Sequence, residues 1–315
     1  MSYYYSEKPT TSITRRHFLA LSGLALISGC SKGGLGSTGR FTAWGSAGRR
    51  NGQFVQPRGI GVHRGEVYVV DTTGRIQVFD LEGNYLRQWS TLESENGTPT
   101  DVAFDLKGNV IIPDTHYSRI LEYSPQGELL KQWGEYGTGE QQFIYPTGVA
   151  IDKEGNYFIS EYGTGAERVH VFDNERRFIR QWGTHGEAPG QFNRAMGISI
   201  GPDGNVYVAD TTNHRIQCFA PGGEFVRTIG EAGSGPGQIK FPYHADISPD
   251  GSVFVCEYGN HRVSRFAADG RFIQTIGSPG RNPGQFNGPR GIACSAGSAV
   301  YVADTDNHRV QRIRL

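Results

Sequence analysis

Apolar residues occur along most of the chain in short runs separated by turns that contain glycine, proline and aspartate. The turns Gly201-Pro202-Asp203-Gly204 and Ala220-Pro221-Gly222-Gly223 are of types that reverse a chain tightly. The runs around them predict a unit of four short β-strands: Gly197 to Ile200, Val206 to Ala209, Arg215 to Phe219 and Glu224 to Ile229. With 45 glycines in 315 residues, this pattern predicts an all-β chain.

The four-strand unit is repeated. The phrase YVADTTNHRI, which begins at residue 207, returns as FVCEYGNHRV at 254 and as YVADTDNHRV at 301, a step of 47 residues each time. Degenerate copies occur upstream at 68–76, 111–120 and 158–169. The acidic residue of the phrase therefore appears six times, at Asp71, Asp114, Glu161, Asp210, Glu257 and Asp304. Among the all-β architectures, a sandwich, a barrel or a propeller, a fixed period of this length favours a propeller.

A second phrase marks the start of each unit. Gly-Gln-Phe or a close variant begins at residues 52, 190, 237 and 284, with Gln142-Phe143 as a further copy, and a Pro-x-Gly strand start follows in several units. Together the phrases resemble the NHL repeat, over residues 40–315. The Asp-x-x-Asn-His-Arg copies in the second half carry the resemblance most clearly, whereas the first three units depart from the triplet. The resemblance implies a β-propeller, in which stacked blades bury both faces of each four-stranded sheet.

The two ends of the repeat region predict how the ring closes. The last unit stops at Leu315, after its third strand, and the sequence GRFTAWG at residues 39–45 matches the fourth strand GRFIQTIG at residues 270–277. An N-terminal strand that completes the last blade would also remove two exposed sheet edges. Residues 40–315 then divide into six blades. We therefore predict a six-bladed β-propeller whose last blade is closed by the N-terminal strand, and a monomer.

The first thirty residues predict export rather than folding. Arg15 and Arg16 stand just before an apolar run from Phe18 to Ile27, an order that resembles a twin-arginine signal, and Ile27-Ser28-Gly29-Cys30 resembles a lipobox in which Cys30 is lipidated. A plain secretory signal cut near Gly29 and an uncleaved anchor helix are the alternatives. Residues 31–39 predict a flexible tether. We therefore expect a lipid-anchored protein on the periplasmic side of a bacterial cell envelope, attached to the membrane through its N-terminus.

Charge and cysteine content restrict the function further. The chain has 31 basic and 31 acidic residues, and this balance argues against a nucleic-acid surface. Cys218, Cys256 and Cys294 occur one per blade, which is no disulfide framework, so we predict free thiols. A Cys256–Cys294 bridge between neighbouring blades is the alternative.

Repetition separates structural residues from functional candidates. In an antiparallel meander, the Gly-Gln-Phe loops, the Pro-x-Gly starts and the acidic corners share one face of the disc. We expect any ligand at the loop-rich mouth of the channel on that face. Residues present in most blades, such as His214, His261, His308 and their arginines, are predicted to hold blades together by satisfying backbone carbonyls and the acidic residue. The six acidic residues are also predicted to be structural, with an acidic collar around the axis as the alternative.

Departures from the repeat are the candidate ligand-binding residues. His244 and Asp101 replace the glycine found at Gly59, Gly148, Gly197 and Gly291, and both would lie on an innermost strand near the mouth. Arg58 and Arg290 precede that glycine in adjacent blades and could clamp an anion together. Blades 3 and 5 replace the usual Asp-Thr corner by acidic-tyrosine pairs, Glu161-Tyr162 and Glu257-Tyr258. Ordinary loop variation is the alternative explanation for all of them.

The sequence favours a binding or scaffolding module over an enzyme. Amidating lyases of similar fold hold zinc with three channel histidines, but here His244 is the one non-motif histidine with that placement, the others being His63, His116, His170 and His185. Calcium-dependent lactonases of similar architecture use oxygen ligands that Asp101, Glu161 and Glu257 could imitate, without a recognisable calcium spacing. The sequence shows neither a Gly-x-Ser-x-Gly elbow nor a dinucleotide fingerprint.

We therefore predict no cofactor and no metal, and a protein, peptide or small polar ligand at the mouth. The alternative is a metal-assisted lyase or hydrolase that works in the channel with His244, Arg58 and Asp101.

Overall fold

A computed structural model describes residues 34–37, 39–95, 99–297 and 299–315. The predictions for the signal segment, including those for Arg15, Arg16 and Cys30, lie outside these residues. The described chain is all-β, apart from two 3-10 turns, η1 (Thr115–Tyr117) and η2 (Thr305–Asn307). Within it there is no helix of sufficient length and apolar character to cross a membrane.

The strands form six antiparallel sheets, which are the blades of a propeller. Two strands precede the first blade: β1 (Gly34–Ser37) and β2 (Phe41–Trp44). Blade 1 contains β3 (Pro57–His63), β4 (Glu66–Asp71), β5 (Arg75–Asp80) and β6 (Tyr85–Ser90). Blade 2 contains β7 (Ala103–Phe104), β8 (Val110–Asp114), β9 (Arg119–Tyr123) and β10 (Leu129–Trp133). The short pair β11 (Glu135–Tyr136) and β12 (Gln142–Phe143) leads to blade 3, with β13 (Tyr145–Ile151), β14 (Tyr157–Tyr162), β15 (Arg168–Phe172) and β16 (Phe178–Trp182).

The second half repeats this plan with greater regularity. Blade 4 contains β17 (Ala195–Ile200), β18 (Val206–Asp210), β19 (Arg215–Phe219) and β20 (Phe225–Ile229). After β21 (Glu231–Ala232) and β22 (Gln238–Ile239), blade 5 contains β23 (Pro242–Ile247), β24 (Val253–Glu257), β25 (Arg262–Phe266) and β26 (Phe272–Ile276). After β27 (Ser278–Pro279) and β28 (Gln285–Phe286), blade 6 contains β29 (Gly291–Cys294), β30 (Ala299–Asp304) and β31 (Arg309–Arg314). The strands predicted for blade 4 agree with these bounds to within two residues.

The N-terminal strand completes the last blade, as the sequence predicts. Strand β2 pairs with β31 in antiparallel register, with Phe41 opposite Ile313 and Trp44 opposite Val310. Blade 6 therefore reads β29-β30-β31-β2 from the axis outward, and β1 adds a fifth strand outside β2. Strand β1 lies in the segment 31–39, for which the sequence predicts a flexible tether, so part of that segment pairs with the blade.

The core lies between the blades rather than within any one of them. The described residues form six apolar clusters, and each cluster joins two neighbouring blades. One of them packs Trp44, Tyr301 and Val310 of blade 6 against Ile60 and Phe79 of blade 1, so the ring is closed by side chains as well as by the β2–β31 ladder. Because both faces of the middle strands are covered, β4, β8, β18 and β24 are almost continuously apolar instead of alternating.

Candidate functional site

The six acidic corner residues take part in buried ion pairs within the blades. Asp71, Asp114, Glu161, Asp210, Glu257 and Asp304 are all fully buried. Each forms an ion pair with the arginine that begins the next strand, at 2.6–2.9 Å. The Asp304 carboxylate also accepts hydrogen bonds from the Asn287 amide, the Asn307 side chain and the Gln311 side chain. Because the six carboxylates are buried and paired with strand arginines, they do not form an exposed acidic collar around the axis.

The corner histidines connect successive blades through a bond that the sequence analysis did not anticipate. His214, His261 and His308 adopt the left-handed backbone conformation, with φ from 52° to 56°. Their Nδ1 atoms accept hydrogen bonds from the backbone amides of Phe241, Gly288 and Gln56, each in the next blade, at 2.9–3.1 Å. The structural role is as predicted, but the histidine partner is an amide N–H rather than a carbonyl. The arginines provide the predicted carbonyl contacts, as Arg309 does to Asn282 and Gln285.

His170 is a buried histidine, and we expect its titration to make the stability of the protein depend on pH. It is fully buried, and its Nε2 atom lies 2.8 Å from Glu161 Oε1, while its Nδ1 atom has no hydrogen-bond partner in the described chain. Burial lowers the pKa of His170, although the adjacent Glu161 opposes this shift. The folded state therefore prefers the neutral ring. The stability that the neutral His170 ring contributes is fully present above the pKa of an exposed histidine, about 6.5. It is lost as the pH falls from there through the lower pKa that His170 has in the folded protein.

Replacement of His170 by glutamine should reduce the loss of stability on acidification. Glutamine occupies the same register in blades 1, 4 and 6, where Gln217 donates to Asp210 and to the Gln191 carbonyl. We expect the free energy of unfolding of His170→Gln to fall less between pH 7 and pH 5 than that of the wild type, as measured by urea unfolding. His116→Gln, at an exposed histidine, is the control. A wild-type slope retained in His170→Gln would show that His170 is not the titrating group.

Six positions around the axis determine the width of the channel. Four are the glycines at 59, 148, 197 and 291, where the innermost strands of neighbouring blades approach most closely. A Cβ at Gly291 would lie 2.1 Å from the Arg58 carbonyl oxygen, and a Cβ at Gly197 would lie 1.8 Å from the His244 ring. These glycines are therefore required by close packing. The two remaining positions, Asp101 in blade 2 and His244 in blade 5, belong to opposite blades and carry side chains.

Asp101 and His244 meet across the axis and divide the channel. His244 Nε2 lies 3.8 Å from Asp101 Oδ1, and both side chains border the mouth pocket on one side and a larger cavity of about 270 Å³ on the other. His244 Nδ1 bonds to the Ile292 carbonyl, and Asp101 accepts from the amides of Val102 and Val149. Burial raises the pKa of Asp101, and the nearby His244 opposes this shift. The pair forms the floor of the mouth.

Every blade contributes to the mouth pocket above this floor. The residue that precedes each of the six axial positions lines it: Arg58, Thr100, Thr147, Met196, Tyr243 and Arg290. His116, Tyr162 and Arg194 lie around the rim. The pocket volume is about 50 Å³. Because each blade contributes different side chains, the pocket is not repeated around the ring. A concave pocket of this kind is the candidate binding site.

The structure brings together five of the eight sequence candidates. Arg58, Asp101, Tyr162, His244 and Arg290 line the mouth pocket, and Tyr258 packs beside it, with Arg290 4.8 Å above its ring. Glu161 and Glu257 form the corner ion pairs with Arg168 and Arg262, and neither lines the mouth pocket. A ligand-binding role for these two carboxylates stays a prediction.

Sequence reasoning missed Arg194, Tyr243 and His116. Tyr243 could have been found, because it stands in the same register as Arg58 and Arg290, immediately before the axial position. Arg194 stands two residues earlier in its unit than that register. Its backbone is left-handed, with φ 63°, and Gln56 and Phe241 at the same register share this conformation without lining the pocket. His116 lies in η1, the corner turn of blade 2, in the register that Asp306 occupies in η2 of blade 6.

The free thiols are also placed by the structure. Cys218 and Cys256 are buried, Cys294 is partly exposed, and all three are free. Cys256 Sγ donates to the Arg290 carbonyl at 2.9 Å, and burial raises the pKa of this thiol to about 12. A cysteine of this kind behaves as a small apolar residue.

Comparisons with known proteins agree with this architecture. Residues 192–219 and 286–313 match the NHL repeat. A stretch of 139 residues is 30% identical to the protein brain tumor of Drosophila melanogaster, and it covers 41% of this chain but 12% of that protein.

Three solved structures with a similar fold are each 14% identical in sequence to this chain. A streptogramin B lyase superposes with a TM-score of 0.60 at 14% identity over 88% of each chain. Virginiamycin B lyase from Staphylococcus aureus gives 0.60 at 14% identity, over 87% of this chain and 99% of that one. An auxiliary nutrient binding protein from Bacteroides thetaiotaomicron gives 0.62 at 14% identity, over 82% and 69%. At this identity the likeness shows the fold alone.

Proposed function

Because the chain is a six-bladed β-propeller with NHL repeats, we propose that it is an exported, lipid-anchored binding module that holds its ligand in the mouth pocket. The observation that supports this proposal best is that repeated and non-repeated residues lie in different places. The repeated acids, histidines and arginines form contacts within and between blades. The residues that differ from blade to blade converge on the mouth. A concave pocket with a few convergent polar groups is the usual candidate for a ligand-binding site.

The fold itself does not choose between binding and catalysis, since similar propellers include a nutrient binding protein and lyases. The site favours binding. In the described residues, no three His, Cys, Asp or Glu side chains are grouped so that they could hold a metal ion. Asp101 and His244 provide two such groups, each already engaged by backbone atoms. Metal analysis of the folded protein tests the enzymatic alternative: a stoichiometric metal that is lost on His244→Ala would support it.

A steric block of the mouth tests the binding proposal without assuming the nature of the ligand. His116 lies exposed at the rim, so His116→Trp should crowd the pocket and leave the core intact. Leu106→Trp is the matched control, because Leu106 is 63% exposed in a turn remote from the pocket. Hits from a ligand-observed NMR screen of small polar molecules and short peptides should lose affinity with His116→Trp and keep it with Leu106→Trp. Hits that bind both variants equally would show that the mouth is not the binding site.

The cellular address is proposed from the sequence pattern of residues 14–30. Arg15→Lys combined with Arg16→Lys should leave the protein in the cytoplasm, and Cys30→Ser should abolish incorporation of a labelled fatty acid. Arg49 and Arg50 form a second arginine pair, in the exposed loop after β2, and their double lysine substitution is the control. Normal export of the Arg15/Arg16 variant would contradict the twin-arginine proposal and leave the binding proposal untouched.

A further inference from the structure

The mouth pocket carries an excess of positive charge. Three arginines from three different blades, Arg58, Arg194 and Arg290, line it. Burial lowers the pKa of Arg58 to about 10, and the next contribution is repulsion from Arg290. In the described part of the chain, Arg194 and Arg290 form no ion pair with a carboxylate. The one acid among the lining residues is Asp101, which lies in the floor and is 4% exposed.

Aromatic rings hold two of these guanidinium groups in place, those of Arg194 and Arg290. The Arg290 guanidinium lies 4.6 Å above the ring of Tyr243 and 4.8 Å above that of Tyr258, and Arg194 lies 5.3 Å above the ring of Tyr162. Stacking fixes the plane of a guanidinium group while its N–H donors remain available at the edge. The Nε atom of Arg290 is buried and has no hydrogen-bond partner among the described residues. The stacking also occupies the aromatic faces that a cationic ligand would need.

The size of the pocket restricts the group that enters it. Its volume is about 50 Å³, and one water molecule needs roughly 10–15 Å³ of such space. The pocket therefore accepts one small polar group, and the Asp101–His244 floor stops a longer chain from passing into the lower cavity. The remainder of a ligand would lie above the pocket, beside Tyr162 and His116.

We infer that the mouth binds an oxyanion, a carboxylate or a phosphate, carried by the ligand and held between Arg58, Arg194 and Arg290. Guanidinium groups match both anions because each offers paired N–H donors to two oxygens. This inference rests on the proposed function and specifies the chemical class of its ligand.

Calorimetric titrations at constant ionic strength test the inference, since a change in salt would itself alter weak charge interactions. The probes are N-acetylglycine for a carboxylate, inorganic phosphate for a phosphate, N-acetylglycinamide as the neutral match, and tetramethylammonium as the cation. We expect one or both oxyanions to bind at millimolar concentration, and neither the amide nor the cation. The oxyanion that binds more tightly shows whether the natural ligand carries a carboxylate or a phosphate. Arg194→Met and Arg290→Met should each weaken binding about tenfold or more, because each removes a charge-assisted hydrogen bond.

Arg227→Met is the matched control, because Arg227 also lies over a tyrosine, at 5.9 Å from the ring of Tyr207, but outside the mouth. It removes the same charge and should leave oxyanion binding unchanged. Arg194 is exposed, so its variant remains informative even if Arg290→Met fails to fold. Equal binding of the acid and its amide, no binding of either oxyanion, or full affinity in Arg194→Met would each overturn the inference. Neutral hits that are lost in His116→Trp would then still support the binding proposal.

Discussion

Replacement of Trp44 by alanine should destabilise the protein by about 3–5 kcal/mol, the usual cost of removing a large buried aromatic side chain. Trp44 is 6% exposed and packs between blades 6 and 1. Its ring centroid lies 6.0 Å from that of Phe79 and 6.1 Å from that of Tyr301. A Cβ at Gly83 would lie 2.5 Å from the indole, so a glycine there is what allows the ring to lie flat on blade 1.

The effect of Trp44→Ala measures how firmly the N-terminal strand closes the ring. Trp182 is the matched control, because it occupies the same register in blade 3 and packs against Phe219 of blade 4 within an uninterrupted part of the chain. Urea unfolding followed by circular dichroism should give similar losses for Trp44→Ala and Trp182→Ala. A small loss for Trp44→Ala beside a large one for Trp182→Ala would mean that the seam contributes little, and the ring closure described above would be wrong in solution.

Replacement of Asp304 by alanine should destabilise blade 6 by about 3–5 kcal/mol, because removing one partner leaves a buried charge uncompensated. Arg309 is 3% exposed and donates to Asp304 at 2.7 Å. Burial raises the pKa of Asp304, and its hydrogen-bond donors and Arg309 oppose this shift. Burial of the carboxylate therefore costs free energy. Its removal should cost more, because the Asn287 amide and the Gln311 side chain would lose their hydrogen-bond acceptor.

Asp306→Ala is the control for this prediction. Asp306 stands two residues away in the same corner, is half-buried, and accepts a hydrogen bond from Gln56 Nε2 at 3.2 Å. Its loss should cost about 0.5–1.5 kcal/mol, the range for an ordinary hydrogen bond. The measurement is the free energy of unfolding of each variant. Equal losses for Asp304→Ala and Asp306→Ala would show that the corner carboxylate contributes no more to stability than an ordinary hydrogen-bond acceptor.

The sequence could predict the blade because many contacts within a blade join residues that are close in the chain. The Gly-Gln-Phe phrase illustrates this: Gln285 Oε1 accepts from the Asn282 amide, three residues earlier, while Phe286 fills the space between blades 5 and 6. The corner acid, its asparagine and its arginine are likewise separated by three and five residues. Contacts of this kind recur with the period of the sequence, so one copy explains all the others. The partner of the corner histidine was predicted to be a backbone carbonyl and is a backbone amide. This amide belongs to the next blade, so the local sequence does not identify it.

The candidate site could be predicted in part, for the same reason. Arg58, Arg290, His244 and Asp101 were visible as departures from a known register. Arg194 was not, because it lies outside that register, and the residues at its own register in blades 1 and 5, Gln56 and Phe241, do not line the mouth pocket. Glu161 and Glu257 differ from the other corners by one methylene, and sequence comparison could not distinguish that variation from a functional one.

The sequence by itself determined the number of blades, the strand that closes the ring and the structural role of the repeated residues, since each rests on residue types at short, fixed spacings. The tertiary structure decided what meets at the axis. Asp101 and His244 stand in opposite blades, and three arginines from blades 1, 4 and 6 converge on one pocket. These distances depend on the curvature of the closed ring, which brings positions far apart in the chain to a common centre and which no single repeat encodes.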